Sequence, residues 1–496
     1  MVLSSAVAPL CMLIVLVALN CLYWGTSCLR TTSIRDTLPP GPSSLPLIGN
    51  LLNIPKVSPW LAYRELSKRY GKIMSFKVFS QVLILVDDAE VAVELLEKRS
   101  SIYSSRPESP MVALVGWDWN FGLFPYGEQW RRFRRMFWQH FHPGVVSKHT
   151  PHLEKGAAML LSRLSTDPTK LPDHIRYSIG VIVLPMTYGI RVSEENNKYL
   201  SLVEEGNSTG EHLISSTSIL EFIPALAGLP TWLPGTSFLR TLERGRKTTL
   251  QMRTIPWNDT RHGLMEGAEY DPNNVAASMR KRLSRITDES AAEEEEIAKN
   301  VCATIYSAAS DTTLSVLCGF IVAMALHPEA QKKAQAELDT VVGPNRLPEL
   351  DDMDKLPYVN AVIKENLRWH TPTPLGLPHV TTLDDEYSGY MIPKGSVVLV
   401  NLWSIFHDEK NYPEPDKFMP ERFLQDGNLK PSDTVEDPSR IAFGFGRRIC
   451  PGRHLAESMV FIFVSYILHV FDITPSLDDN GHPVEITLGR SSGLVS

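Results

Sequence analysis

The chain has 496 residues, of which 43% are hydrophobic and 21% are charged, and its formal net charge is −7. This composition is typical of a folded protein with a large core and excludes an intrinsically disordered chain. The acidic balance argues against nucleic-acid binding as the main function, because neutralising phosphates requires a basic surface.

The first predicted element is an N-terminal membrane anchor over residues 1–29. No charged residue occurs in this range, and its apolar run is long enough to cross about 30 Å of hydrocarbon. A cleaved signal peptide is the alternative, but the segment lacks a positively charged start. Arg30 and Arg35 follow the apolar run, so the positive-inside rule places the rest of the chain in the cytosol.

A proline-rich hinge over residues 30–50 follows the anchor. Its centre reads Pro39-Pro40-Gly41-Pro42, and consecutive prolines have a fixed φ and no N–H donor, which predicts a stiff, non-helical segment. Beyond it we find no flexible linker, low-complexity tract or internal repeat. Residues 51–496 are therefore predicted to form one domain.

Helical patterns dominate this domain. Helices are predicted over Pro59 to Tyr70, Gln129 to His140 and about Ala292 to Leu326, where His327-Pro328 ends the last of them. The middle of the long helix is apolar on nearly every face and is expected to be buried, and Glu293 to Glu296 are expected to form a solvated first turn. Short strand patterns at Ile73 to Val78, Val82 to Val86 and Ser396 to Val400 are too few for a main sheet. The predicted fold class is mainly α with minor β.

Two helices carry polar pairs at helical spacing. Trp130 and Arg134 lie four residues apart and could direct their donors toward one anion, although a core tryptophan beside a surface arginine is the alternative. Glu365 and Arg368, on a helix predicted to begin near Leu356, lie three residues apart and can pair. An exposed pair of that kind contributes little to stability.

The middle of the long helix contains an acid and hydroxyl groups. Asp311 and Thr312 stand within Ala308-Ala309-Ser310-Asp311-Thr312-Thr313, and burying them is costly unless they find partners. In one account Thr312 bonds back to a carbonyl one turn earlier and Asp311 forms a core ion pair. In the other they form a proton relay, in which Thr312 orients water and Asp311 connects to solvent.

The most specific pattern is a loop near the C-terminus with one isolated cysteine. It reads Phe443-Gly444-Phe445-Gly446-Arg447-Arg448-Ile449-Cys450-Pro451-Gly452, and its three glycines would let the backbone turn tightly and approach a flat partner. Backbone N–H groups, Arg448 and a helix beginning after Pro451 are expected to depress the pKa of the Cys450 thiol, as metal ligation requires. No CxxC spacing points to zinc.

These motifs together resemble the cytochrome P450 superfamily, whose haem-binding loop reads FxxGxRxCxG. The resemblance implies haem b as the cofactor, Cys450 as the axial iron ligand, and Phe443, Gly446 and Gly452 as haem-binding loop residues. It implies that Asp311 and Thr312 are catalytic and that Ala308 faces the haem. The family's motif here reads (A/G)Gx(D/E)T(T/S), and Ala309 departs from its glycine.

The same resemblance implies further roles. Trp130, Arg134, His379 and Arg448 are expected to bind the haem propionates, and Glu365, Arg368 and Arg422 of Pro420-Glu421-Arg422-Phe423 to form a structural lock behind the cysteine loop. Candidates for lining the substrate cavity lie in the segment Met111 to Tyr126, with Trp117, Trp119, Phe121 and Phe124, and at Leu375 and Leu377.

The expected activity is that of a haem-thiolate monooxygenase, which uses O2 to oxidise a small, mostly apolar molecule. The chain shows no dinucleotide-binding fingerprint and no flavin domain, so the resemblance implies NADPH–cytochrome P450 reductase as the electron donor. The reductase is expected to dock on a basic face of this chain formed by Arg131, Arg132, Arg135, Arg447 and Arg453. The chain is expected to be a single-pass protein of the endoplasmic reticulum membrane.

The chain is most similar to fungal, especially basidiomycete, members, through Gly116-Trp117-Asp118-Trp119 and Pro378-His379-Val380. Many of these act on terpenoids, polyketides or indoles in secondary metabolism. One alternative is a reductase-independent isomerase or dehydratase, which would need no relay at Asp311 and Thr312. Another is a non-catalytic haem-binding membrane protein, because family members usually continue beyond the Leu494-Val495-Ser496 end found here.

Overall fold

The computed structural model describes residues 38–193, 198–215, 220, 227–229, 236–266, 273–431, 437–478, 480–486 and 494–495. The predicted anchor at 1–29 lies outside this part of the chain, as do the first residues of the hinge. The rest of the hinge packs on the strands: Asn50 donates from its backbone to the carbonyl of Lys77, and the backbone N–H of Ser75 donates to Pro40.

The fold is mainly helical, as predicted. The eleven longer helices of the described ranges are α1 (Pro59–Tyr70), α2 (Glu128–Phe141), α3 (Thr150–Thr166), α4 (Leu171–Tyr188), α5 (Lys198–Ser215), α6 (Ser237–Glu266), α7 (Val275–Leu283), α8 (Ala291–Leu326), α9 (Pro328–Val341), α10 (Pro357–His370) and α11 (Arg453–Val470). Single α-helical turns occur at Ala89–Val93, Ser100–Tyr103, Pro110–Leu114, Pro143–Val146, Leu402–Phe406 and Pro438–Ile441. Tighter 3-10 turns include Phe121–Leu123, Leu350–Lys355, Pro420–Phe423 and Gly446–Arg448.

The strands form a small sheet and two hairpins. They are β1 (Ile73–Val78), β2 (Gln81–Val86), β3 (His379–Val380), β4 (Asp385–Tyr387), β5 (Tyr390–Ile392), β6 (Val397–Val400), β7 (Leu424–Gln425) and β8 (Asn428–Leu429). The sheet order is β1-β2-β6-β3, with β2 and β6 parallel and the other neighbours antiparallel. The strands β4 and β5 pair with each other, as do β7 and β8. The minor β content predicted from the sequence is confirmed.

The long helix α8 runs through the main hydrophobic core. It spans 36 residues, which is about 54 Å at the rise of an α-helix. It packs against α2, α4, α6, α7, α10 and α11. In the part of the chain that is described, α8 is also the one helix whose length and hydropathy would suit a membrane span, but these contacts make it a core helix. It ends at Leu326, and the next residue, His327, has a φ of −128° and a ψ of 67°, outside the helical region that a following proline disfavours.

The acidic start of α8 is largely exposed, as predicted, and it also forms ion pairs that the sequence did not indicate. Glu293 and Glu294 both pair with Arg132 of α2, and the Glu294 side chain is only 16% exposed. Glu296 pairs with Arg253 of α6. The run is therefore a largely solvated first turn, as predicted, whose glutamates also form ion pairs because α2 and α6 bring cations to it.

Candidate active site

The Cys450 loop connects the short helix Pro438–Ile441 to α11. The backbone N–H of Cys450 donates to the carbonyl of Phe443 at 2.7 Å, which closes the loop. Gly444 and Gly446 have φ of +81° and +51°, and a Cβ on Gly446 would lie 2.4 Å from the carbonyl oxygen of Leu96. Both positions therefore require glycine. Gly452 does not, since its φ is −93° and a Cβ there would make only an ordinary 3.7 Å contact with Phe137.

The electrostatics of the Cys450 thiol correct one expectation. Burial raises the pKa of Cys450, while the backbone N–H of Gly452 and the charges of Arg134 and Arg453 act in the opposite direction. Arg448 is not among the groups that act on the thiol. Because burial dominates, the predicted depression of the thiol pKa is wrong for the protein alone. A cation bonded to sulfur would be needed to keep this buried group as a thiolate.

Buried positive charge collects beside the loop. Arg448 packs its guanidinium 4.4 Å from the centre of the Trp130 ring and donates from Nε to Ser104 and from Nη2 to Phe124, both at 2.6 Å. Its Nη1 is buried and has no hydrogen-bond partner. Arg134 lies 5.8 Å from the same ring and, in the described part of the chain, has neither a hydrogen bond nor an ion pair.

Two more groups extend this cluster. His379 donates from Nδ1 to the carbonyl of Tyr103 at 2.7 Å, and burial, followed by the charge of Arg106, holds its pKa well below the usual range. Arg106 donates from Nη1 to Leu377 and Pro378, and burial, followed by the charge of Arg448, lowers its pKa to about 9. The sequence motifs missed Arg106, since nothing in its local pattern marks a buried cation.

This arrangement fits the propionates of a haem. Burial lowers the pKa values of Arg134 and Arg448, the latter to about 10, and no described carboxylate pairs with Arg106, Arg134 or Arg448. Buried cations are normally paired, so the cluster calls for an anion from outside the chain. On α8, Ala308 is exposed although its neighbour Ser307 is buried, which leaves open space beside a core helix.

Thr312 and Asp311 of α8 make different contacts, one within the helix and the other with α5. The Thr312 hydroxyl donates to the carbonyl of Ala308 at 2.8 Å, which is the backbone bond considered from the sequence. The core ion pair considered for Asp311 is not found among the described residues. Instead, Asn207 of α5 lies beside the Asp311 carboxyl and also bonds Ser307, donating to its carbonyl at 3.0 Å and accepting from its hydroxyl at 2.8 Å. Burial raises the pKa of Asp311, and Asn207 opposes that shift by hydrogen bonding.

The Glu365, Arg368 and Arg422 side chains meet as the motifs indicated. Glu365 and Arg368 are fully buried, and two hydrogen bonds of 2.7 and 2.9 Å join them. Glu365 also accepts from Arg422 Nε at 3.1 Å and from the backbone N–H of Met419 at 2.7 Å. Arg368 in turn donates to the carbonyl of Phe406. The network joins α10 to the segment that precedes the cysteine loop.

The candidate pocket residues are mostly packed in the core. Trp117 and Trp119 are buried and stacked at 5.5 Å, and Phe121 packs on Phe133 and Phe137 of α2. Phe124 packs edge-on to Phe133 at 5.0 Å. Leu375 packs with the strand cluster, and Leu377 is partly buried.

The basic residues beside the loop fall into two groups. Arg131, Arg135 and Arg447 are exposed, whereas Arg132 is engaged by Glu293 and Glu294 and Arg453 is partly buried. The exposed cations on this face are therefore fewer than the sequence suggested.

Comparison with known proteins places these features in a family. Residues 39–493 match the family model described as Cytochrome P450. The chain is 41% identical to Cytochrome P450 monooxygenase COX2 of Coprinopsis cinerea, over 90% of this chain and 85% of that protein. It is 38% identical to Cytochrome P450 monooxygenase ple1 of Rhodocybe pseudopiperita, over 99% and 93% of the two chains. It is 35% identical to Tryptamine 4-monooxygenase of Psilocybe cyanescens, over 97% and 95%. The similarity to fungal members is confirmed.

Proposed function

The chain belongs to the cytochrome P450 family as a monooxygenase with haem b as its prosthetic group, and we propose that it oxidises a small, mostly apolar molecule in fungal secondary metabolism. The observation that carries this proposal is the closed cysteine loop beside a cluster of cations that no described carboxylate pairs with, two separate requirements of one bound haem. When bound, the haem supplies the oxygen activation and the oxidative chemistry.

We assign the haem contacts as follows. Cys450 is the iron ligand, held by the loop that contains Phe443, Gly446 and Gly452. Arg134, Arg448, Trp130 and His379 bind the propionates, supported by the orphaned Nη1 of Arg448 and by the unpaired guanidinium of Arg134. His379 already donates from Nδ1 to Tyr103, so its remaining nitrogen, Nε2, is the one left for a propionate. Ala308 faces the haem from α8.

Asp311 and Thr312 deliver protons in this proposal. Asp311 takes up a proton as a carboxylic acid and passes it to a water that the Thr312 hydroxyl holds. The half-buried position of Asp311 and its raised pKa support a carboxyl group that changes protonation state. Ala309 adds one methyl group to this stretch of α8 and removes no donor or acceptor from it.

The proposed substrate class rests on the relatives. One relative is named for tryptamine, an indole, and the two others reported above are named as cytochrome P450 monooxygenases of the fungi Coprinopsis cinerea and Rhodocybe pseudopiperita. We propose a terpenoid, polyketide or indole as the substrate of this chain.

Electrons come from NADPH–cytochrome P450 reductase in this proposal. The exposed cations Arg131, Arg135 and Arg447 form a basic face beside the cysteine loop, which suits an acidic donor in a weak, transient complex. Residues 1–29 anchor the protein in the endoplasmic reticulum membrane, with the catalytic domain in the cytosol.

A carbon monoxide difference spectrum of the reduced, full-length protein tests the iron ligand. The wild-type chain is expected to show the red-shifted Soret band of a thiolate-ligated haem, and Cys450→Ser is expected to abolish it. Haem-loaded wild-type protein with a nitrogen-ligand spectrum would refute the assignment. Product formation that requires both NADPH and added reductase distinguishes the monooxygenase from a reductase-independent isomerase.

The relay is tested at Thr312. Thr312→Ala is expected to leave haem content unchanged and to divert NADPH electrons to hydrogen peroxide. Thr313→Ala is the matched control, since Thr313 is the next residue of α8 and is buried. Equal peroxide release from both variants would contradict the role of Thr312.

A further inference from the structure

The C-terminal half of α8 is held by two side chains of α10. Asn366 donates from Nδ2 to the backbone carbonyl of Val316 at 2.9 Å. The Ser315 hydroxyl and Nε2 of His370 share a hydrogen bond of 2.8 Å, in which either group can donate. Asn366 and His370 are both buried and lie four residues apart, so they project from one face of α10. These two contacts between α10 and α8 form what we call the α8 clamp.

A glycine allows the two helices to approach this closely. Gly319 lies four residues after Ser315, and a Cβ on it would lie 2.5 Å from Cγ of the His370 ring and 2.6 Å from Cδ2. Because these atoms are not the end of a flexible side chain, a larger residue at 319 would move α8 and α10 apart. Residues of both helices therefore specify a close spacing at the clamp.

The α8 clamp lies one helical turn beyond Thr312. Thr312, Ser315 and Val316 are spaced at i, i+3 and i+4 within α8, so they share one face of the helix. In an α-helix the backbone N–H of residue 316 donates to the carbonyl of residue 312, which joins the clamped residue directly to the backbone of Thr312. A displacement of α8 at Val316 therefore moves Thr312 with it.

The other face of α10 is tied to the cysteine loop. Lys364 pairs with Asp437 and donates to the Ser439 hydroxyl at 3.0 Å, and both partners stand at the start of the short helix that leads into the loop. Glu365, on the same side of α10, belongs to the buried network described above. At about 100° per residue, these side chains project away from the two that clamp α8. The helix α10 is therefore a spacer between α8 and the segment that carries Cys450.

We propose that Asn366 and His370 are positioning residues for the oxidation, because through α10 they hold the Thr312 section of α8 at a fixed distance from the loop of Cys450. The inference rests on the proposed functions of Thr312 and Cys450. Its physical reason is geometric, since a misplacement of about 1 Å between reacting groups can cost on the order of 100-fold in rate. The two residues act through Thr312 and contact neither haem nor substrate in this inference.

Two substitutions release the clamp at little cost in stability. His370→Phe keeps a flat ring over Gly319 but cannot bond Ser315, whose hydroxyl can instead donate to a carbonyl of its own helix. Asn366→Leu removes the donor to Val316, and it also removes the buried Oδ1 of Asn366, which has no hydrogen-bond partner in the described part of the chain. Because an unsatisfied buried acceptor is costly, losing it offsets the lost hydrogen bond. We therefore expect both variants to fold and to bind haem.

Carbon monoxide bound to the reduced, full-length, haem-loaded protein tests the position of α8 without turnover. Its C–O stretching band, measured in the infrared, shifts when the dipoles beside the bound gas change, and Thr312→Ala calibrates that shift. We expect His370→Phe and Asn366→Leu each to shift or broaden the band. Thr304→Val is the matched control, since the buried Thr304 hydroxyl bonds back to Asn300 within α8, and it is expected to leave the band unchanged. Wild-type bands in both clamp variants would overturn the inference.

Turnover and unfolding separate the inference from the proposed function and from a purely structural role. With NADPH, added reductase and O2, the His370→Phe/Asn366→Leu double variant is expected to raise the hydrogen peroxide released per NADPH by about half of the increase in Thr312→Ala. A wild-type ratio in the double variant, beside a raised ratio in Thr312→Ala, would refute the clamp alone. A lower denaturant midpoint and haem content with an unchanged C–O band would show a structural role and also refute it. A wild-type ratio in Thr312→Ala would refute the relay, and the clamp with it.

Discussion

The buried network around Glu365 gives the strongest prediction for stability. Glu365→Ala removes a fully buried carboxylate that accepts hydrogen bonds from Arg368, Arg422 and the backbone of Met419. Arg368, also fully buried, is then left with an uncompensated charge. Breaking a buried pair in this way costs about 3–5 kcal/mol, a large share of the 5–15 kcal/mol that stabilises a typical domain. We expect little folded, haem-containing protein at 37 °C.

A matched control lies in the same segment. Glu421, next to Arg422, pairs with Lys333 at 2.6 Å, but these side chains are 43% and 57% exposed. Lys333→Ala is therefore expected to cost at most about 1 kcal/mol. The assay is the denaturant midpoint, followed by the Soret band and by circular dichroism at equal haem content. Equal midpoints for Glu365→Ala and the wild-type chain, or equal losses in the two variants, would refute the argument.

Three further predictions concern packing, pH and docking. Gly210→Ala would place its Cβ 2.2 Å from Trp117 Nε1, so we expect the free energy of unfolding, measured by thermal unfolding, to fall by about 1–3 kcal/mol. Gly127→Ala, with open space around its Cβ, is expected to have little effect. Burial, followed by the charges of His149 and Arg282, lowers the pKa of His140 from 6.5 to about 4 in the folded protein. As pH drops below 6.5, the unfolded chain therefore protonates this histidine before the folded chain does, and the stability of the fold decreases. His140→Gln is expected to reduce the loss in free energy of unfolding at pH 5 by about 2 kcal/mol. The same dependence of unfolding free energy on pH in the variant and the wild-type chain would contradict this. Trp138 is 44% exposed beside Arg135 on α2 and is expected to contact the reductase. Trp138→Ala is therefore expected to raise the reductase concentration that gives the half-maximal rate about tenfold. Leu383→Ala, at another exposed apolar residue, is expected to leave that concentration unchanged.

The sequence predicted those features that depend on local rules. Proline fixed the start of α1 at Pro59 and the end of α8 at Leu326, so both boundaries were predicted to within a residue. Short strand patterns located β1 and β2 to within a residue as well. The tight turn of the cysteine loop could be predicted from its glycines, because the backbone conformation at 444 and 446 allows few other residue types.

Features that depend on distant partners were not predictable. The sequence predicted a solvated acidic start of α8 but not the ion pairs formed there, because their cations come from α2 and α6, far away in sequence. The pKa of Cys450 was expected to fall, but burial, which no local pattern reports, outweighs the neighbouring charges. Arg106 and Asn207 belong to no motif, and only the packing of their helices and loops brings them to the site.

The unpaired cations make haem binding a stability question as well as a catalytic one. Arg134 has no hydrogen bond or ion pair among the described residues, and burial lowers its pKa, so its charge opposes folding while no anion is bound. Arg134→Met is therefore expected to raise the denaturant midpoint of the haem-free protein. The same change is expected to weaken the holoprotein, because a charge-assisted hydrogen bond to a propionate contributes about 1.5–3 kcal/mol, or roughly 10- to 100-fold in haem retention. Urea unfolding of the haem-free and haem-bound forms measures the change in stability. Haem transfer to apomyoglobin measures the change in haem retention. Shifts of the same sign in the two forms would mean that Arg134 has a structural role and does not bind a propionate.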